Sequence, residues 1–427
     1  MTRTLIRGGC VLTMGRANHV QADVLIDGDV IAEVGIGLRA RDAVTIDAEG
    51  CIVMPGFVDT HRHARDSLFR NLGDGAGTAV MDHGSHFRPG DLYAATLIGL
   101  LGAVDAGITT VVDWCDLATD PVLAEAALQA HADSGARSVF VHAAAPWLDA
   151  GWRTSLERAA GRTGGDRVVV AAGATEPSAD GGGDEEWAFA RGLGLRVHAH
   201  SGMAKSGGGA VAAMADRGLL GPDATLTHCT HASAADLDAL AATHTGVSLT
   251  PSSEMATGMG TPPIQGLIDR GIRPGLGTDT ERLAPGDAFA PMRAMISVQH
   301  ATVFDRKLAG KAGLPKLLTT REVIRHATVD GAQAIGLGDV TGSLEPGRQA
   351  DVVILRADRP NIHPVNDPIG AVVWGMDTSN VDWVLASGRV LKSHGELHAD
   401  VAGVRSAADE ARRHIAAAIG MESGVRR

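Results

Sequence analysis

The chain has few aromatic residues: Phe, Trp and Tyr make up 3% of its 427 positions, with a single Tyr, so the core must be packed from Ala, Val, Leu and Ile. Its four cysteines, Cys10, Cys51, Cys115 and Cys229, lie far apart and form no C-x-x-C motif. This excludes a paired-cysteine redox or metal motif and fits unpaired thiols in a reducing compartment. No run approaches the roughly 18 apolar residues of a membrane span, and the N-terminus lacks an apolar signal core. No membrane association is expected, and the sequence reads as cytoplasmic. Positive charge is also in deficit, with 38 Lys and Arg against 50 Asp and Glu and a net charge of -12. Such a balance opposes docking onto a phosphate backbone, so no nucleic acid polymer is expected as a partner, although a single base remains a possible substrate.

What is present is ordinary globular composition, 44% apolar and 21% charged, in a chain long enough for one large domain or two to three average ones. The stretch that organises the rest is Met54-Pro-Gly-Phe-Val-Asp-Thr-His-Arg-His63, an apolar run ending in His-x-His. On a strand, side chains two apart point to the same side, so His61 and His63 offer two imidazoles to one point. That is half of a metal site.

Before this stretch, Thr4 to Met14, Ala22 to Ile26 and Val30 to Val34 read as short strands, with a hairpin turn at Asp27-Gly28 and another turn at Glu49-Gly50. After it, strand and helix patterns alternate. The strand candidates are Gly56 to Thr60, Thr109 to Asp113, Ser138 to His142, Val168 to Ala172, Leu195 to His200, Ala224 to His228, Val247 to Thr250 and Ile272 to Gly277. Helix-like segments between them include Asp91 to Val104, Pro121 to Asp133, Ala210 to Arg217, Ala234 to Ala242 and Pro263 to Arg270. Eight strands alternating with helices predict an α/β fold, a (β/α)8 TIM-type barrel whose active site lies at the C-terminal strand ends. Thr319 to Glu322 predicts a capping box opening a helix that runs on to Ile335. Beyond it, Ala350 to Leu355, Ala371 to Trp374, Val381 to Ala386 and Val390-Leu391 return to strand character. The expected organisation is a small β domain from 1–55 and 340–400, a metal-dependent barrel over 56–339, and an amphipathic C-terminal helix within 401–427.

The strand ends carry the chemistry. Arg196-Val-His-Ala-His-Ser201 supplies a second His-x-His, in which His198 or His200 is a ligand candidate on spacing alone. Leu226-Thr-His-Cys-Thr-His231 ends the sixth strand and Gly275-Leu-Gly-Thr-Asp-Thr280 ends the eighth with a carboxylate. Imidazoles and one carboxylate suit Zn²⁺ or Fe²⁺, with a position left for water.

These motifs, together with Leu68-Phe-Arg70, Gly107 to Asp113 and Gly342 to Asp351, resemble the amidohydrolase superfamily over nearly the whole chain. Within it the sequence is most similar to the aminohydrolase and chlorohydrolase branch that acts on purines, pyrimidines, adenosine-type nucleosides and triazines. The resemblance implies one divalent metal ion, zinc before iron, held by His61, His63, His200 and Asp279, with His228 near the metal-activated water. It also implies a composite β-sandwich from the two chain ends, a homo-oligomer and a small heterocyclic substrate.

One position departs from that branch. Three residues after the fifth-strand histidine many of its deaminases carry a glutamate that shuttles a proton, and here that position is Met203. A thioether cannot do this work. Glu254, in Thr250-Pro-Ser-Ser-Glu-Met255 beyond the seventh strand, is the candidate replacement, and Glu176 a poorer one. The catalytic candidates are thus His228, Asp279 and Glu254. Trp114 after the second strand, His142 at the end of the third and Met203 are the substrate-binding candidates, and His83 and His86 sit in a loop where a lid would lie. Lys205-Ser-Gly-Gly-Gly209 lacks the spacing of a phosphate loop. Three readings follow: deamination of a nitrogen heterocycle by a metal-activated water; hydrolysis that expels chloride or an alkylamine or opens a cyclic amide; and a metal-binding scaffold without catalysis.

Overall fold

The computed structural model describes residues 3–15, 21–71, 86–118, 120–143, 151–161, 167–177, 183–203 and 208–420. His83 and most of the Lys205 to Gly209 segment lie outside them.

The N-terminal strands are β1 (Arg3–Val11), β2 (Ala22–Asp27), β3 (Val30–Gly35), β4 (Ala43–Asp47) and β5 (Cys51–Pro55). Asp27 pairs with Val30 across the expected two-residue turn, where Gly28 takes φ +65° without a side-chain clash. Eight further strands form the barrel: β6 (Phe57–Arg62), β7 (Ile108–Cys115), β8 (Arg137–Ala143), β9 (Val168–Gly173), β10 (Val197–Ser201), β11 (Ala224–His228), β12 (Gly246–Leu249) and β13 (Gly275–Leu276). Around them lie α1 (Pro89–Asp105), α2 (Pro121–Ser134), α3 (Trp152–Ala160), α4 (Asp184–Gly192), α5 (Ala210–Asp216), α6 (Ala234–Thr243), α7 (Pro251–Ala256), α8 (Ile264–Ile268) and α9 (Phe289–Leu308). The chain continues through α10 (Thr320–His326), α11 (Val329–Ala334), β14 (Val352–Arg356), α12 (Pro368–Gly370), β15 (Val381–Ala386), β16 (Arg389–Ser393), β17 (Glu396–Leu397) and α13 (Val401–Ala418).

Strands β6 to β13 pair in parallel in sequence order. Two backbone hydrogen bonds close the ring, Asp279 N to His61 O at 2.9 Å and His63 N to Asp279 O at 2.8 Å. The seam of the barrel therefore runs through three of the candidate metal ligands. The opposite mouth is plugged by α11, whose Ala332 packs with Ile335, Val58, Val112, Val139, Val141 and Ala171. Arg196 and Thr225 also donate to the Ala334 carbonyl at 2.9 and 2.8 Å, so this end of the barrel is a packed floor.

The two chain ends meet in one mixed sheet, in which β14 runs antiparallel to β5 while β5 runs parallel to β1. Its own core draws Ile6, Val24, Ile26 and Val53 from the first end and Val352, Ile354 and Leu385 from the last. This core is shared between the two chain ends. Among the described residues no helix is long and apolar enough to cross a membrane.

Two expectations are corrected. Ala371 to Trp374 is not a strand: Ala371–Gly375 is a helical turn continuing α12. The Asp367 carboxylate accepts from Ile369 N at 3.0 Å, Pro368 opens the turn, and Val372 and Val373 are buried, so the helix-start signal outweighs the β-branched pair. The helix opened by the Thr319 capping box does form, but it does not run on to Ile335. It breaks at Ala327-Thr328, because the Ala327 carbonyl accepts from Val58 N of β6 at 2.8 Å and leaves the helical ladder.

Candidate metal centre

On β8, Val139, Val141 and Ala143 face the barrel interior with Val58 and Val112, whereas Phe140 packs against residues of α2 and α3 on the outside. The same alternation governs β6 until its end. There Asp59 pairs with Val111 but Arg62 with Asp113, three residues against two, which is a β-bulge. Thr60 reaches across the interior to Ser248 Oγ at 2.6 Å, and the extra residue then turns His61 inward as well. His61 and His63 thereby share the rim with Trp114, while the buried Arg62 points away to Asp59 at 2.8 Å and to Glu281.

The imidazoles converge. His200 Nε2 lies 3.1 Å from His61 Nε2, and Asp279 Oδ1 lies 3.5 Å from both His61 Nε2 and His63 Nε2. Two sets of ligand atoms, those of His61, His63 and His200 and those of His61, His228 and Asp279, each lie within 4.8 Å of one another. Nitrogens on a tetrahedral zinc, with bonds of about 2.0–2.1 Å, sit roughly 3.3 Å apart. The donor set and its spacing therefore fit a divalent metal.

The electrostatics agree with the geometry. Burial, then the neighbouring His63 and His228, pull His61 down to about 4 against the hydrogen bond to Asp279. Burial and the surrounding histidines hold His200 well below its ordinary value. For Asp279, burial is outweighed by the His61 hydrogen bond and the charges of His228, His61 and His63, which keep the carboxyl well below the usual carboxylate range. Neutral imidazoles beside an ionised carboxylate are the protonation states a metal needs.

His228 behaves differently. Its Nδ1 meets Glu254 Oε1 at 3.2 Å and Thr250 Oγ1 at 3.1 Å, which leaves Nε2 for the cluster. Burial lowers its pKa, but the Glu254 hydrogen bond and the Asp279 charge outweigh that and raise it. Glu254 sits on α7 at 0% exposure, and its Oε2 is buried with no hydrogen-bond partner among the described residues. Ser253, next to it, donates to Asp279 Oδ2 and so leaves Oδ1 facing His61 and His63. His228 and Asp279 have φ of +75° and +61°, backbone conformations that cost energy in non-glycine residues.

Among the other candidates, Trp114 is close, with its ring centroid 4.2 Å from that of His200. Met203 is 44% exposed, three residues past His200. Glu176 accepts from Ser201 Oγ at 2.6 Å at the same end of the barrel. His198 lies one rung below His200 in the interior, with a buried Nε2 that has no partner among the described residues. His86 is half-buried just before α1. His142 is a correction: it is buried on the outer side of β8, with Nε2 2.9 Å from Ser155 Oγ of α3, and does not join the cluster. Residues the motifs did not flag are Ser253, Thr250 and Glu281, which binds both Arg62 and Arg70 and ties the segment after Asp279 to the one after His63. The Pro-Ser-Ser-Glu run after β12 was a signal for the first two; nothing in the sequence pointed to Glu281.

A profile of the amidohydrolase family matches residues 52–391. The 5'-deoxyadenosine deaminase of Methanothermobacter thermautotrophicus is 29% identical over 422 residues, covering 92% of this chain and 94% of its own. Among solved structures, a triazine hydrolase variant superposes with a TM-score of 0.84 at 21% identity, covering 96% and 100% of the two chains. An adenosine deaminase from Xanthomonas campestris with bound zinc gives 0.79 at 21% identity, covering 97% and 99%.

Proposed function

Because the chain belongs to the amidohydrolase family, we propose that it is a zinc-dependent hydrolase that removes the exocyclic amine of a small nitrogen heterocycle of the purine, pyrimidine or triazine type. The observation that carries this reading is the convergence of His61, His63, His200 and Asp279 at the barrel seam, with His228 beside them. These four side chains would hold the metal, and a relative of similar length acts on 5'-deoxyadenosine. A bound zinc supplies Lewis acidity and lowers the pKa of a water toward about 7.

The chain's own groups do the rest. Asp279 is ionised and held by Ser253, so its Oδ1 is the base that takes the proton of the attacking water. His228, whose pKa the Glu254 hydrogen bond raises and whose Nδ1 is held by Glu254, donates from Nε2 to the tetrahedral centre formed at the ring carbon. Glu254 keeps His228 oriented through Nδ1, and the proton that Asp279 takes from the water passes to the departing ammonia. Trp114 offers an indole face to a flat ring beside His200. The overall exchange replaces the carbon–nitrogen bond by a carbon–oxygen bond and releases ammonia.

A second reading, expulsion of chloride, is favoured by Met203, because chloride leaves without a proton. One assay separates them: ammonia and chloride release over a panel of adenosine-type nucleosides, free bases, aminotriazines and chlorotriazines, with zinc removed and restored. Zinc-dependent ammonia release is expected. Chloride release alone would replace the first reading by the second, and turnover that ignores metal would sink both.

A further inference from the structure

Outside the barrel, α1, α13, β17 and the turn Ala64–Phe69 line an open cavity of about 390 Å³ that is separate from the metal centre. Its floor is apolar, formed by Leu68, Ile98, Leu101 and Leu397, and three guanidinium groups, Arg70, Arg405 and Arg412, stand around it. In a chain of net charge -12 this gathering of arginines runs against the general surface charge.

The arginines are not spent on neighbours. Arg405 and Arg412 have no hydrogen-bond or ion-pair partner among the described residues. Arg70 gives its Nε to Glu281, and its Nη2 reaches α1 at Gly102, where a Cβ would stand 2.7 Å from that nitrogen. A glycine there lets the guanidinium lie against the helix at the cavity. Two acids share the lining. Asp105 is neutralised by Lys392 Nζ at 2.7 Å, and Asp409 is the one carboxylate left against Arg405 and Arg412.

We propose that this cavity binds a phosphate monoester carrying an apolar group. A guanidinium presents a planar fork of N–H donors that matches phosphate oxygens. The apolar floor would receive the organic part, and the volume is that of a small-molecule site rather than of an ion. Since Arg70 also holds Glu281, two residues from Asp279, an occupant would touch a group that the metal centre's wall depends on.

The test uses phenyl phosphate as probe and phenol as its uncharged counterpart, titrated calorimetrically into the zinc-loaded protein. Phenyl phosphate is expected to bind and phenol not, with affinity falling at least tenfold in R405A/R412A and falling steadily with added salt. Arg405 is exposed, Arg412 is half-buried at the cavity, and neither has a hydrogen-bond or ion-pair partner among the described residues, so the double variant should fold. R405K/R412K, which keeps the charges and loses the forks, should fall between the two. Binding unchanged in R405A/R412A would mean the probe sits at the metal and would overturn the proposal, as would equal binding of phenol.

Discussion

Two arcs of the same barrel are built from the same kind of strand and do different things. The arc from β10 through the seam to β6 turns His200, His228, Asp279, His61 and His63 toward one point. The arc from β7 to β9 presents Val112, Val139, Val141, Ala143 and Ala171 inward and adds to the rim only the indole of Trp114. A histidine at a strand end is thus informative only when the phase of its strand is known. His142 and His200 both lie near the C-terminal ends of their strands; one faces α3 and the other faces the metal centre. The seam arc also carries costly features, positive φ at His228 and Asp279 and the buried Arg62 joined to Asp59 and Glu281.

The sharpest way to break this contrast is to remove one imidazole from each arc. His200→Ala should lose bound zinc and lower turnover on the order of a thousand-fold, the several kcal/mol that a Lewis acid supplies. His142→Ala should keep one zinc per chain by elemental analysis. Equal zinc loss in both variants would erase the distinction. Within the seam arc, His198→Ala asks whether the inner rung takes part, and metal content should again stay at one. Glu254→Gln keeps the shape beside His228 but removes the charge that raises its pKa. Partners behind such a site are typically worth about 10–100-fold, and that loss is expected in kcat, with the basic features of the pH profile moved. Trp114→Ala, the contribution of the other arc, should raise KM by about tenfold or less, in line with roughly 0.5–1.5 kcal/mol for an aromatic contact, and leave kcat close to its starting value. A large fall in kcat there would mean the indole orients His200 rather than the substrate.

Much of this architecture is legible in the residues. His61 and His63 two apart, the alternation of apolar runs with helical segments, and a carboxylate after Gly277 suffice to place a metal at a barrel rim. What alternation cannot say is which face is the inner one, and that is where His142 went astray. Its outward direction depends on Phe140 packing against α2 and α3, a relation set by tertiary contacts. The bulge that turns His61 inward leaves no mark in composition, and the Arg62, Arg70 and Glu281 cluster joins positions more than two hundred residues apart. The break at Ala327-Thr328 is equally remote in cause, since a β6 amide takes the carbonyl that the helix needed. The 20-residue α9, whose buried Phe289, Met292, Met295, Ile296, Gln299 and Val303 follow helical spacing, was within reach of periodicity alone.

The last effect expected is on stability rather than rate, and it belongs to the β7–β9 arc. Burial pulls the His142 imidazole down to about 4, so the folded protein keeps it neutral at a pH where the unfolded chain, with a value near 6.5, takes up a proton. The unfolded state therefore binds more protons between about pH 6.5 and 4, and stability must rise with pH across that window and fall as the medium is acidified. The full difference is at most about 3.5 kcal/mol, from roughly 1.4 kcal/mol per pKa unit. His142→Leu removes the titrating group and the Ser155 contact together, so it should lower stability near pH 8, where the native imidazole costs nothing, and flatten the dependence between pH 6.5 and 4. Denaturant unfolding at several pH values, on zinc-loaded protein of both kinds, reads this directly. An unchanged slope in the variant would place the acid sensitivity elsewhere and remove His142 from the account of how the outer wall is held.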